Sequence, residues 1–385
     1  MTALSRTLLA WISLGAWGWA VLVALLDRRH GRGLGSAPIR ASDASVSVIV
    51  PARNEAGRLG PALATLEAQT HRVVEVIVVD DQSDDSTYTE AERHASDRIR
   101  VVRGAPLPSG WVGKSWAIHQ GTELASGDWL LFTDADVTHA PDTVERAVAL
   151  AEEHDLPGIT VLPLLESVSP VERVVQPAAA VLIRSFVAPG PLVRLARSRT
   201  AIAAGGFILL RRDVYDTVGG HAAIRDRLVD DKALAEEVKR IARPLAIVDG
   251  EGRVRVRMYR GASEVWRGWR KNTSVGLAEG SPLVAAGAAV IGGAVAVWPW
   301  VVLVRGPRLI GLAALAAQTA ARAEVASVAP TPRRYALTLP LGCLFLSATS
   351  LVSSVDRLRG RVEWRGRRYV TDERLSRAER GTPRA

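Results

Sequence analysis

The chain has 385 residues, 48% of them hydrophobic, and a formal net charge of +9. That length suits one large domain or two smaller ones, and the basic balance is compatible with anionic lipid, a phosphorylated substrate or nucleic acid. The single cysteine, Cys343, excludes an intrachain disulfide framework and a cysteine-rich zinc site.

Residues 7–26, TLLAWISLGAWGWAVLVALL, carry no charge and are long enough to cross a bilayer. Arg28, Arg29 and Arg32 follow where a signal peptide would have a small-residue cleavage site, so residues 1–30 read as an anchor with the next segment in the cytoplasm. Strands then alternate with helices. VSVIVPA (46–52) precedes a helix at PALATLEAQ, VEVIVVDD (74–81) precedes one at DSTYTEAERHA, and IRVVRG (99–104) precedes one within 112–126. DWLLFTDAD (128–136), the helix DTVERAVALAEEH and GITVLPLL (158–165) continue the pattern. Fully apolar strands in βαβα order predict an α/β fold, a mostly parallel sheet with helices on both faces, over residues 44–275. Residues 282–304 and 335–354 are two further apolar runs, giving a transmembrane region over 282–354. The 308–328 run contains Arg322 and Glu324 and is expected to be interfacial or re-entrant. A basic cytoplasmic tail occupies 355–385.

Gly113-Lys114-Ser115 ends like a nucleotide-binding P-loop, but Pro108 stands where the first glycine belongs. Proline has no N–H for a phosphate and a fixed φ, so that loop cannot form. Ligands in parallel sheets bind beyond the strands' carboxyl ends. Those ends here carry PARNE (51–55), DDQSDD (80–85) and DAD (134–136). Three acidic strand ends at one edge repel one another unless a cation or ligand joins them. Asp134 and Asp136 suit Mg²⁺ or Mn²⁺, which take carboxylate oxygens and bridge phosphates. Lys114, at a helix start, adds charge for a pyrophosphate. Asp230 and Asp231 open another helix, and Trp266 and Trp269 alternate with Arg267, Arg270 and Lys271 ahead of the span at 282. Such an aromatic and basic segment suits headgroup depth or a lipid-facing rim. His119, His139 and His221 have no metal-site spacing and read as structural.

Taken in order, VSVIVPARNE, VIVVDDQSDD, PLPSGWVGKSWA, LLFTDAD, GGFILLRRDVYDTVGGH, VDDKALAEEV and WRGWRKN resemble family 2 glycosyltransferases of the GT-A fold, over roughly residues 44–275. The likeness is greatest to the membrane-bound subgroup linked to carotenoid (diaponeurosporenoate) glycosylation and hopanoid loci. This resemblance implies inverting transfer from a nucleotide sugar, usually a UDP-sugar. It places Asp80 and Asp81 on the nucleotide, Lys114 on the donor phosphates, the metal on Asp134 and Asp136, and the general base at Asp231 beside Asp230. Pro51, Glu55, Asp134 and Arg270 complete the donor side, and Trp266 and Trp269 the acceptor side. The family's Gln-x-x-Arg-Trp element keeps Arg270 but has Arg267 and Lys271 in place of Gln and Trp. That departure favours single transfer to a membrane lipid over polymer synthesis. The expected location is the cell membrane, multi-pass, and no nucleic-acid partner is expected. A sugar nucleotidyltransferase and a non-catalytic, membrane-anchored nucleotide-sugar-binding homologue are the alternatives.

Overall fold

The computed structural model describes residues 3–37, 42–278, 281–359, 362–364 and 367–369. The strands are β1 (Arg32–Gly33), β2 (Val46–Ala52), β3 (Val73–Asp80), β4 (Ile99–Arg103), β5 (Trp129–Phe132), β6 (Val137–His139), β7 (Gly158–Leu162), β8 (Leu164–Leu165), β9 (Ile208–Arg211), β10 (Ala246–Asp249) and β11 (Val254–Val256), with β12 (Val362–Trp364) and β13 (Arg367–Tyr369) forming a separate hairpin in the tail. Eight of them form one sheet in the order β1-β10-β7-β9-β5-β2-β3-β4. All its pairings are parallel except those of β9, which runs antiparallel to both β5 and β7. The carboxyl ends of β5, β2 and β3 therefore lie side by side, and β9 begins at the same edge, Ile208 opposite Phe132. A second sheet, β6-β11-β8, is built from strands that follow β5, β10 and β7 along the chain.

Strand alternation divides the core. Val48 and Val50 face one layer, with Leu59, Leu63, Val144 and Val148, while Ile49 faces the other, with Ile118, Phe132 and Leu234. The first layer belongs to helices α2 (Leu59–Glu67) and α5 (Thr143–Glu153). The second belongs to α4 (Gly113–Glu123), α8 (Arg212–Val218) and α9 (Asp230–Ile241). The remaining helices are α1 (Ala3–His30), α3 (Thr87–Glu92), α6 (Pro170–Leu182), α7 (Gly190–Arg194), α10 (Ala262–Ala278), α11 (Pro282–Arg305), α12 (Arg308–Ala323) and α13 (Leu339–Leu358). A π-helical turn, Ile183–Val187, prolongs α6.

Among the described residues, three helices are long and apolar enough to cross a membrane: Arg6–Arg29, Pro282–Arg305 and Leu339–Leu358. The 16-residue α12 spans about 24 Å, short of the roughly 30 Å hydrocarbon thickness. It returns toward the sheets, where the Val328 carbonyl accepts from the Leu165 N–H at 2.6 Å.

Two features depart from the sequence reading. β1 lies ahead of residue 44 yet extends the large sheet beside β10. The segment after β8 is less separate from the membrane region than its position suggests. Val175, Ala178 and Ala179 of α6 share a core with Trp17, Ala296 and Leu346. Gly342 of α13 lies so close to α6 that a Cβ there would stand 2.4 Å from Ala178. The small side chains of QPAAAVL allow that approach. Residues 360–361, 365–366 and 370–385 of the expected tail lie outside the described residues.

Candidate active site

The loops after β2 and β3 interlock before any ligand arrives. Arg53 donates to the carbonyls of Asp81 and Gln82 at 2.5 and 2.9 Å. The Asn54 N–H donates to Ser83 Oγ at 3.1 Å, and Asn54 Oδ1 accepts from the Asp84 N–H at 2.9 Å. Asn54 and Gln82 both have φ of 54°, left-handed backbone that costs energy for a residue with a Cβ and gathers at functional loops. Asp80 is buried and accepts from the Ser83 N–H at 3.3 Å, so it shapes the turn, while Asp81 lines the cleft. Pro51, Glu55 and Arg58 line it as well.

At the next strand end, the Lys114 ammonium bridges Asp134 Oδ1 at 2.9 Å and Asp230 Oδ2 at 3.1 Å. It rides on the first turn of α4, whose N-cap residue Val112 offers no side-chain cap. Asp231 Oδ2 accepts from the Gly205 N–H at 3.2 Å, and its Oδ1 from the Lys232 N–H at 2.6 Å. Gly205 permits this crowding, because a Cβ there would lie 3.2 Å from both Asp134 Oδ2 and Lys114 Nζ. The antiparallel entry of β9 brings it in. The glycine pair of AAGGF was its only sequence signal.

The charges are unequal. Burial would lower the Lys114 pKa, but Asp134, Asp230 and Asp231 outweigh it and hold the ammonium well above its ordinary range. Burial also opposes ionisation of Asp230, yet Lys114 keeps that carboxyl below its usual range. Asp231 is pushed up to about 6 by burial and by the neighbouring Asp230 charge. His221, structural by its sequence spacing, lines the same small hollow as Lys114, Asp230 and Asp231. Burial pushes its imidazole down to about 4, so it is neutral near pH 7. Its Nδ1 lies 2.9 Å from Tyr215 Oη.

Asp136 lines the cleft, and its charge adds to burial in raising the pKa of Tyr259. Among the described residues no three His, Cys, Asp or Glu side chains gather closely enough to hold a metal by themselves. The donor set that does reach the cleft, Asp134 and Asp136, is hard oxygen and fits a divalent cation completed by phosphate oxygens and water. The remaining candidates separate. Arg270 pairs with Asp356 of α13, at 2.5 Å for Nη2 and 2.6 Å for Nε, and is not on the cleft wall. Trp266 packs edge-on against Phe345 with ring centroids 5.4 Å apart. Trp269 is buried against Tyr259 and does line the cavity. That cavity measures about 1500 Å³ and runs from Asp81, Lys114 and Asp231 to α11 and α13.

Residues 47–219 match the family model described as glycosyl transferase family 2. This chain carries a family 2 glycosyltransferase domain. A 4,4'-diaponeurosporenoate glycosyltransferase of Staphylococcus haemolyticus is 30% identical over 244 residues, 62% of this chain and 63% of that relative, so the match spans just under two thirds of its length. The Staphylococcus aureus protein of the same name is 29% identical over 266 residues, 68% of this chain and 69% of its own. Among solved structures, a mannosyltransferase from Pyrobaculum calidifontis in complex with GDP-Man and Mn²⁺ superposes with a TM-score of 0.52 at 19% identity. That superposition covers 92% of this chain and 99% of the mannosyltransferase, and establishes the GT-A fold. The glycosyltransferase expectation from the motifs is met, and so is the mixed, mostly parallel architecture.

Proposed function

We propose that this glycosyltransferase moves a sugar, with inversion, from a nucleotide sugar to a membrane lipid bearing a hydroxyl or carboxyl group. A UDP-sugar is the proposed donor, and a carotenoid or other terpenoid is the sharper acceptor proposal. One observation carries the reading: the Lys114–Asp134–Asp230–Asp231 cluster opens into a single cavity that continues between apolar helices. The relatives named for diaponeurosporenoate support the acceptor class, and the mannosyltransferase holding GDP-Man and Mn²⁺ supports the donor class and the cation.

The chain's own groups supply the chemistry. Asp231, ionised above about pH 6, accepts the proton of an acceptor hydroxyl as its oxygen attacks the sugar's anomeric carbon. A carboxylate acceptor attacks already ionised and needs no base. The bond from that carbon to the diphosphate breaks, and the electron pair leaves with the diphosphate. Lys114 exchanges its carboxylate partners for the departing charge. Asp134 and Asp136 would hold a divalent cation, which when bound supplies further positive charge to the diphosphate oxygens. Asp81, Pro51 and Glu55 form the nucleotide side of the cleft. Membranes containing the full chain, given radiolabelled UDP-sugars and a lipid extract, should form labelled glycolipid. Formation of nucleotide sugar from sugar phosphate would favour a nucleotidyltransferase, and no turnover with any donor would favour a non-catalytic binder.

A further inference from the structure

The cavity is larger than its proposed chemistry requires. Small-molecule sites usually enclose about 300–1000 Å³, whereas this one encloses about 1500 Å³. Its extra volume lies between helices. Ala16 and Trp17 of α1, Ala288 and Gly292 of α11, and Leu346 and Ser350 of α13 form the walls. A charged nucleotide has no reason to enter such a limb, because burying its phosphates among alkyl groups would cost far more than it returns.

Some wall residues also face outward. Ile12 is 50% exposed, Ile291 65% and Phe186 42%, and each lines the cavity too. They mark a mouth on the lipid-facing side, between α1, α11 and the π-helical turn. The mouth is braced just inside. Ser13 Oγ and Trp17 Nε1 donate to the Val295 carbonyl at 3.1 and 3.2 Å, and Trp17 meets Phe186 edge-on at 6.2 Å. Trp19 Nε1 donates to the Ser185 carbonyl at 2.9 Å, fixing the π-helical turn to α1. Deeper in, two buried polar atoms on the wall have no hydrogen-bond partner among the described residues: Ser350 Oγ and Trp269 Nε1. Ser350 is 1% exposed and Trp269 8%. Orphaned donors at that depth suit a ligand that brings an accepting oxygen among apolar neighbours.

We propose that this limb is a tail channel for a single-chain amphiphile, entered laterally between α1 and α11, and that Gly292 sets the bulk it admits. The channel deepens the lipid-acceptor reading and rests on it for its role in transfer. Gly292 is the natural gate because it lines the cavity and a Cβ there would meet nothing within 4 Å. A larger side chain would therefore occupy the channel without first displacing a neighbour. Gly287, on the same helix, also has open space around a Cβ but does not line the cavity, so it serves as the control.

The test uses the full chain in nanodiscs of phosphatidylethanolamine and phosphatidylglycerol, with hexadecanoic acid carrying a mid-chain diazirine as the probe. After irradiation, labelled peptides are mapped by mass spectrometry. Wild type should be labelled around Trp269 and across Gly342–Ser350. Gly292→Phe should reduce that inner labelling by about tenfold or more, as expected when even a pair of methylene groups is denied burial. Gly287→Phe should leave it unchanged. Binding of radiolabelled UDP-glucose and GDP-mannose, measured in parallel, should be equal in all three. Labelling confined to outward faces, or an equal drop in both variants, overturns the channel. If the pattern holds but neither nucleotide sugar binds, the channel stands and the transfer reading falls. Should Gly292→Phe fail to insert, Ala16→Phe closes the same passage from the opposite wall and is read by the same criteria.

Discussion

Two adjacent carboxylates, Asp230 and Asp231, lie within the field of one cation, Lys114, and do not share it equally. Asp230 takes the direct contact at 3.1 Å and stays ionised, while Asp231 is left with two backbone N–H donors and a carboxyl near 6. The sign of the consequence follows from linkage. Between about pH 4 and 6 the folded protein holds a proton on Asp231 that the unfolded chain has released, so this group stabilises as pH falls through that window. At pH 7 its ionised form works against folding. Asp231→Asn should therefore abolish transfer to a hydroxyl acceptor and yet raise thermal stability, by about 1–2 kcal/mol once solvent screening is allowed for. Melting curves and turnover on the same preparation decide it: a less stable variant, or one that still transfers sugar to a hydroxyl, contradicts the assignment. In wild type, transfer to a hydroxyl acceptor should rise with pH through about 6 and then level off. Arg270 gives a second residue-level prediction. Its ion pair with Asp356 places it off the cleft, so Arg270→Ala should change nucleotide-sugar affinity by less than about twofold, whereas Lys114→Ala should cost about tenfold or more. Equilibrium binding distinguishes the two, and a large loss in the Arg270 variant would return that side chain to the diphosphate.

Among the elements, those whose carboxyl ends meet at the cleft were legible because local signals agree with the global fold. VSVIVPA, VEVIVVDD and DWLLFTDAD are continuous apolar runs ending in acidic turns, and they became β2, β3 and β5 with their ends adjacent. What escaped notice arrives from far along the chain. Gly205 and His221 reach the site only because β9 inserts antiparallel, and strand direction leaves no mark in a four-residue strand. The Arg270 pairing was hidden for a related reason: its partner Asp356 is 86 residues away, on another helix. The start of α6 did carry a readable signal in Ser169-Pro170-Val171-Glu172, an N-cap, a proline in the first turn and a capping-box glutamate. Glu172 does more than cap. Fully buried, it accepts from Ser169 Oγ and the Gly261 N–H at 2.7 Å and from the Val168 N–H at 2.8 Å, joining α6 to the loop before α10. Burial opposes its charge, but those hydrogen bonds prevail and lower its carboxyl to about 2. Glu172→Gln should destabilise the protein by about 1.5–3 kcal/mol at pH 7, the range for hydrogen bonds to charged groups. A depressed carboxyl stabilises above its unfolded pKa and loses that contribution as pH falls toward the folded value. The gap between wild type and variant should therefore narrow below about pH 4.5, which melting temperatures across pH 7 to 3.5 would reveal. A constant gap would mean the charge is irrelevant.

For the whole molecule, the apolar helices α1, α11 and α13 line the same cavity as Asp81, Lys114 and Asp231, and the order in which they follow one another bears on which face the site sees. Arg28 and Arg29 close α1 and Arg32 follows it, which by the positive-inside rule predicts a cytoplasmic position for the large sheet. The far ends of α1 and α11 lie together, with Arg6 donating to the Arg305 carbonyl at 2.9 Å. From there the chain turns at Gly306 and Pro307, and α12 runs back beside α1 until Arg28 pairs with Glu324 at 2.7 Å. The next residues touch the catalytic domain itself, through the Leu165–Val328 hydrogen bond. A chain that leaves the catalytic side in α11 and is hydrogen-bonded to that domain again at Val328 has returned to the face it left, even though α12 is too short to span a bilayer of ordinary thickness unaided. Helix packing against α1 and α11, with local thinning of the bilayer, accommodates such a mismatch at a modest cost for each ångström. We therefore expect α12 to cross back, in place of the interfacial or re-entrant course its charges suggested, and reporter fusions should read as exported at Gly306 and as cytoplasmic at both Asp249 and Pro330. An exported Pro330 would require Val328 to lie across the membrane from β8. It would break the α12 return on which the packing of the helices, and with it the mouth between α1 and α11, depends.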